Sequence, residues 1–188
     1  MRLQAPRLTP LTLTECTPEQ RDLLTKGNPS RILNVFATLV RHADMYRRWM
    51  PFANHVLFKS TLSPREREIV ILRIGHLCRS GYEVAQHTAI GKRVGLKAAD
   101  LERIKADVGV AGWSDRERLL VRATDELHRE QFVSDPTWRA LTQHFDERQL
   151  IDLVFTVGQY TMVSMALNTF GVQLEDTVAG PDLPLGTP

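Results

Sequence analysis

The stretch SPREREIVILRIGHLCRSGYEVAQH, residues 63–87, holds a helix start, an apolar helix, a break and a second helix rich in polar groups. Ser63 can accept from a free backbone N–H, Pro64 suits the first helical position, and Glu66 completes a capping box. Ile69, Val70, Ile71, Leu72, Ile74 and Leu77 then predict a helix to about Arg79 that is apolar on most sides, the mark of a central element. Ser80 and Gly81 break or bend it. A second helix is expected from about Tyr82 to Val94, stopped by Gly95.

Outward from this hairpin the period stays helical. Ile32, Phe36, Leu39, Ala43 and Tyr46 recur at three- and four-residue steps, and Pro51 starts or kinks a shorter segment reaching Phe58. A short helix is expected from Lys97 to about Asp107. A second capping box, SDRE at 114–117, opens a helix to about Gln131, Asp135 before Pro136 caps a short one, and Asp146 with Gln149 begins a last long pair ending near Gly171. No strand pattern competes, so the fold class is all-α, a bundle of about seven to eight helices. Residues 1–29 contain prolines and threonines with little period and read as an extended arm ending in the turn KGNPS, free to wrap a neighbouring subunit; 176–188 read as a loose tail. The whole is expected to be one domain, 1–188.

A shift of 83 residues lays Ser63 on Asp146, Arg65 on Arg148 and Gly75 on Gly158, so that SPREREIVILRIG matches DERQLIDLVFTVG in pattern. A duplicated helical hairpin is the reading. The two copies differ where it matters: Met165, Ala166 and Phe170 stand where the first copy has Tyr82, Glu83 and His87.

Bulk properties narrow the function. At 43% apolar and 24% charged residues the chain has ordinary globular composition. A net charge of +2 is too small to argue for nucleic acid. There is no apolar run of membrane-spanning length and no secretory signal at the amino terminus, so a cytoplasmic protein without membrane partners is expected. The two cysteines, Cys16 and Cys78, form neither a disulfide framework nor a C-x-x-C pair.

Glu83 and His87 are four apart and project from one helix face; Tyr82 and Gln86 form a second such pair, and all four fall in a sector of roughly 140°. Glu68 approaches from the preceding helix, with Gly75 on its own stripe leaving room. A carboxylate beside an imidazole raises its basicity and fixes its tautomer, while burial raises a carboxylic acid's pKa, so this set suits proton transfer. Glu68, Glu83 and His87 as three metal ligands is the lesser reading, since nothing marks a fourth.

The order Glu68, Ser80, Glu83, His87, followed by IGKRVGL, resembles the carboxymuconolactone decarboxylase and alkyl hydroperoxidase D superfamily over about residues 30–175, most specifically over 62–96. In the hydroperoxidase branch a glutamate, a C-x-x-C pair, a residue between the cysteines and a histidine form a proton relay to a dithiol. By that resemblance the glutamate corresponds to Glu68, the cysteines to Ser80 and Glu83, the intervening position to Tyr82 and the histidine to His87. Both cysteine positions are therefore replaced, and thiol-based peroxide reduction loses its thiolate and resolving partner. What remains is similar to the dithiol-free lactone decarboxylases, which implies an all-helical subunit in trimers or hexamers, a pocket near a subunit interface, and no metal or organic cofactor.

The function expected is that of an acid/base carboxy-lyase on a small carboxylated lactone or ring-derived acid. Glu83 or His87 would be acid or base, Glu68 would orient, and Tyr82 would donate to a developing enolate oxygen. Arg73 or Arg79 would hold the substrate anion, with Cys78 and Ser80 beside it. Two alternatives stand: a non-catalytic oligomeric binding protein on the same scaffold, and a single-cysteine peroxidase using Cys78. Cys78 otherwise reads as a small buried apolar residue.

Overall fold

A computed structural model describes residues 1–26, 32–106 and 109–175; the proposed tail at 176–188 and most of the KGNPS turn lie outside them. Among the described residues there are nine α-helices, one π-helical turn and no strand. They are α1 (Pro18–Thr25), α2 (Asn34–Leu39), α3 (Ala43–Asn54), the π turn His55–Lys59, α4 (Pro64–Leu77), α5 (Gly81–Arg93), α6 (Ala98–Lys105), α7 (Asp115–Glu130), α8 (Asp135–Leu141) and α9 (Glu147–Phe170).

The three capping boxes form as their spacing requires. The side chains of Ser63, Ser114 and Asp146 accept from the N–H groups of Glu66, Glu117 and Gln149, whose side chains bond back. Two of these glutamates also tie α4 to α7: Arg116 donates to Glu66 at 2.8 Å and Arg65 to Glu117 at 2.9 Å. The helix starts are thus held in register by charge-assisted bonds.

α4 is the central helix. Val70, Ile71 and Ile74 face Leu120, Leu141, Leu153 and Val157 from α7, α8 and α9, while Ile69 and Leu72 face Leu96, Ile104 and Trp113. A helix apolar on most sides is buried on most sides for that reason. α4 ends at Leu77 with Cys78 as its C-cap, Arg79 takes a left-handed φ of 52°, and Ser80 is the N-cap of α5, so the break falls over 78–80 and the expected SG pair ends it, with Gly81 already helical. Gly75 lets α5 return close: a Cβ there would lie 3.3 Å from Val84 Cγ2 and 3.7 Å from Glu83 Cβ.

Two expectations are corrected here. The arm is not free: Thr17 and Gln20 of TPEQ form a capping box with Pro18 behind it, starting α1. The preceding segment lies on its own chain, with Arg7 N–H donating to Phe170 O at 2.8 Å and Leu11 N–H to Ala37 O at 3.0 Å. The last long pair is a single helix of 24 residues, which runs unbroken through Gly158 to Phe170. α9 is also the one described helix long and apolar enough to cross a membrane, but 56% of that window is buried within the fold, against α4 and α7 among others.

Candidate active site

α4 and α5 bring Glu68 and His87 together. His87 Nδ1 lies 2.7 Å from Glu68 Oε2, and its Nε2 lies 3.2 Å from Glu83 Oε1 one turn back on α5. Two ionised carboxylates call for hydrogen on both ring nitrogens, an arrangement that favours the imidazolium. Burial opposes that charge, but Glu68, by its charge and hydrogen bond, and then Glu83 outweigh it and raise the pKa to about 9. On Glu68's other oxygen, Arg67 donates through Nε at 3.3 Å and Nη2 at 3.2 Å. Arg67, Glu68, His87 and Glu83 are all buried, and their alternating charges sum to zero, the condition under which a buried ionic set is tolerated.

Tyr160 of α9 closes the set from the side. Its ring meets His87 edge to face at 4.9 Å, and burial, with the charges of Glu83 and Glu68, pushes its phenol well above the usual range. Tyr160 therefore stays neutral at any working pH.

Beside this set lies a cavity of about 1150 Å³, walled by α1, α2, α3, α5 and α9. Its lining is mostly apolar, with Leu33, Val35, Phe36, Trp49 and Met50 opposite a polar strip of Tyr82, Glu83, Gln86, His87, Gln159 and Tyr160. Trp49 Nε1 donates to Gln159 Oε1 at 3.2 Å, which keeps that polar pair turned inward. A large apolar hollow with a few convergent polar groups is the ordinary form of a small-molecule site.

Of the expected residues, Glu83, His87 and Tyr82 line this cavity, and Glu68 supports His87 from behind. Tyr82 is placed differently from the role expected of it, because its hydroxyl donates to Glu175 at 2.6 Å. The anion-holding role given to Arg73 is corrected. Its Nε and Nη2 grip Asp125 at 2.6 and 2.8 Å, and Nη1 donates to Ile104 O at 2.9 Å and to Ala106 O, so it clamps α4 to α7 and to the end of α6. Arg79, Cys78 and Ser80 do not line the cavity either: Arg79 is exposed at the turn, Ser80 is buried with its hydroxyl unpartnered, and Cys78 packs against the main core. Burial pushes the Cys78 thiol up, away from thiolate. Among the described residues, no three His, Cys, Asp or Glu side chains are arranged to hold a metal ion.

Arg67, Tyr160, Gln159 and Glu175 were not foreseen. Gln159 and Tyr160 interrupt the apolar run VFTVGQYTMV, a signal that was available; Glu175 lies 93 residues from Tyr82 and carried none.

No curated protein sequence matches the chain. The carboxymuconolactone decarboxylase family matches residues 43–126. A peroxidase-related protein with an alkylhydroperoxidase AhpD core, from Ralstonia eutropha JMP134, is similar in structure at a TM-score of 0.79 and 19% identity, over 91% of this chain and 93% of that one. A peroxidase-related protein from Silicibacter sp. TM1040 gives 0.78 and 16%, over 93% and 95%. The debrominase Bmp8, in complex with 2,3,4-tribromopyrrole, gives 0.74 and 11%, over 92% and 94%. At these identities the likeness shows the fold. Residues 43–126, which contain Glu68, Glu83 and His87, match the carboxymuconolactone decarboxylase family, and they are set in a chain with the AhpD-like fold.

Proposed function

We propose that the protein is a cofactor-independent acid/base enzyme, a carboxy-lyase acting on a small carboxylated lactone or ring-derived acid in the cytoplasm. The observation that carries this reading is the placement of His87, between Glu68 and Glu83, on the wall of a cavity of about 1150 Å³ lined mainly by apolar groups. In such surroundings a proton is moved without competition from bulk water.

In the reaction proposed, the bond between the ring carbon and its carboxylate breaks. The electron pair passes into the conjugated carbonyl as CO₂ leaves, then returns to carbon to take a proton. His87 is the proton's source, Glu83 the carboxylate through which it reaches the cavity, and Glu68 with Arg67 the pair that holds the imidazole in place. Solvent reprotonates His87 afterwards, so no oxidant or reductant is needed.

The experiment is release of CO₂ from a panel of lactone acids and ring-derived acids by the wild type, Glu83→Gln and His87→Ala. Turnover by the wild type alone, with all three chains folded, supports the lyase. Equal turnover in all three defeats Glu83 and His87 as the acid/base set, and none in any points to a binding protein on this scaffold. The Cys78 peroxidase reading has less support, because the thiol is pushed up by burial and Cys16 is buried in a separate cluster.

The homo-oligomer implied by the resemblance is carried forward as part of this proposal. α9 exposes Ile151, Val154, Phe155, Met162 and Met165, and the pairs Ile151/Met165 and Val154/Met162 are spaced symmetrically about Gly158. Two copies crossing antiparallel at Gly158 would bury this stripe in a two-fold contact, which suits a hexamer and not a bare trimer.

A further inference from the structure

A second polar group on the cavity wall takes no part in the proton-transfer set. Tyr82 and Gln86, one turn apart on α5, both line the cavity and both donate to one carboxylate, that of Glu175. Tyr82 Oη reaches Oε1 at 2.6 Å and Gln86 Nε2 reaches Oε2 at 2.5 Å. The backbone N–H of Asn34 also donates to Oε1, at 2.8 Å. Tyr82 is 2% exposed and packs among Leu33, Val163 and Leu167, so its hydroxyl is sheltered from bulk water.

The segment that delivers Glu175, residues 172–175, has no regular structure. It is anchored by Val172, buried with Leu174 beside it and donating its N–H to Leu167 O at 3.1 Å, and by bonds from Asn34 Nδ2 to Gln173 O and from Gln173 Nε2 to Leu3 O, each at 3.1 Å, and to Gly171 O at 2.7 Å. A structural role is available, since Leu33 offers α2 no side-chain cap and Glu175 takes the Asn34 N–H in its place. Capping does not explain why two side chains from another helix converge on the same carboxylate from the cavity wall.

We propose that Tyr82 Oη, Gln86 Nε2 and the Asn34 N–H form a carboxylate-binding subsite bordering the cavity, which Tyr82 and Gln86 line, occupied here by Glu175 and taken over by the carboxylate of an incoming ring acid. The choice of ligand rests on the lyase reading above; the subsite itself rests on the three donors. Donors without formal charge suit decarboxylation. As the carboxylate gives up its charge toward the ring, a guanidinium would hold the ground state more strongly than the transition state, whereas neutral donors oppose that loss less. Tyr82 and Gln86 occupy rows of α5 next to those of Glu83 and His87, so a ring held by its carboxylate would lie against the proton-transfer set.

The test is calorimetric binding of benzoate, with benzamide as its uncharged control, to the wild type, Glu175→Ala and Glu175→Gln. Emptying the subsite in Glu175→Ala is expected to tighten benzoate about tenfold and leave benzamide unchanged, and adding Gln86→Leu is expected to erase the gain. Glu175→Gln keeps the Oε1 bonds that support α2 and is expected to gain about threefold, so the test stands if the alanine variant is unstable. No gain in either variant, or an equal gain for benzamide, overturns the subsite and leaves Glu175 as a cap. These readouts need no turnover: benzoate bound as expected by a chain that decarboxylates nothing defeats the lyase alone, and turnover without the gain defeats the subsite alone.

Discussion

Glu68 and His87 meet at 2.7 Å across the α4–α5 hairpin, both buried, with Arg67 on the far oxygen of the same carboxylate. Removing the shared carboxylate leaves two buried cations without it. Glu68→Ala is therefore expected to cost about 3–5 kcal/mol of stability, the range for a broken buried pair. Urea unfolding of the two chains measures it, and a loss below about 1 kcal/mol would mean that the set relaxes to water.

The pH dependence of stability arises from the same pair. His87 in the folded chain titrates at about 9, above its ordinary 6.5. A raised pKa gives stability that is fully present below about 6.5 and is lost as pH rises through about 9. The advantage of the wild type over His87→Gln should accordingly be largest near pH 6 and smallest near pH 10, measured by unfolding at both.

Turnover should depend on the same proton. With His87 as the acid, kcat is expected to fall on the alkaline side as the imidazolium is lost near pH 9. Glu83→Gln should lower kcat by about 10²-fold or more, within the usual worth of acid/base catalysis, with little change in KM. A proportional rise in KM at constant kcat would instead make Glu83 a binding group.

The face of α9 predicts assembly. Ile151→Glu with Met165→Glu places charges at symmetric points of the exposed stripe, where the side chains are 57% and 64% exposed. Analytical ultracentrifugation should show this double variant losing a two-fold contact that the wild type makes. A wild type that sediments as a monomer at micromolar concentration contradicts the proposed face.

Much of the helical framework was legible because local rules decide it. Ser63, Ser114 and Asp146 with their partners three residues on fixed three helix starts, and the i, i+4 spacing put Glu83 and His87 on one face. Thr17 with Gln20 carries the same signal, set among prolines and threonines that read as an arm. Gly158 aligns with Gly75 in the 83-residue shift, yet the turn of a hairpin lies a few positions beyond that glycine. Arg79, Ser80 and Gly81 turn the first hairpin, whereas α9 runs on unbroken from Gly158 to Phe170.

The rest depended on tertiary register. Arg73 has the charge to hold an anion, and only the position of Asp125 on α7 shows that its guanidinium is engaged elsewhere. Tyr82 stands in a polar face, and the partner that orients it, Glu175, reaches it from the far end of the chain. Side chains brought together by packing leave no trace in spacing along one helix.

His87 is proposed as a buried proton carrier held charged by Glu68 and Glu83. Nitrogen-15 NMR titration of the His87 ring in the wild type and in Glu68→Gln tests it most directly. The expected result is a ring protonated on both nitrogens through neutrality, titrating near 9 in the wild type and at lower pH in the variant. A wild-type ring already neutral at pH 7 would contradict it.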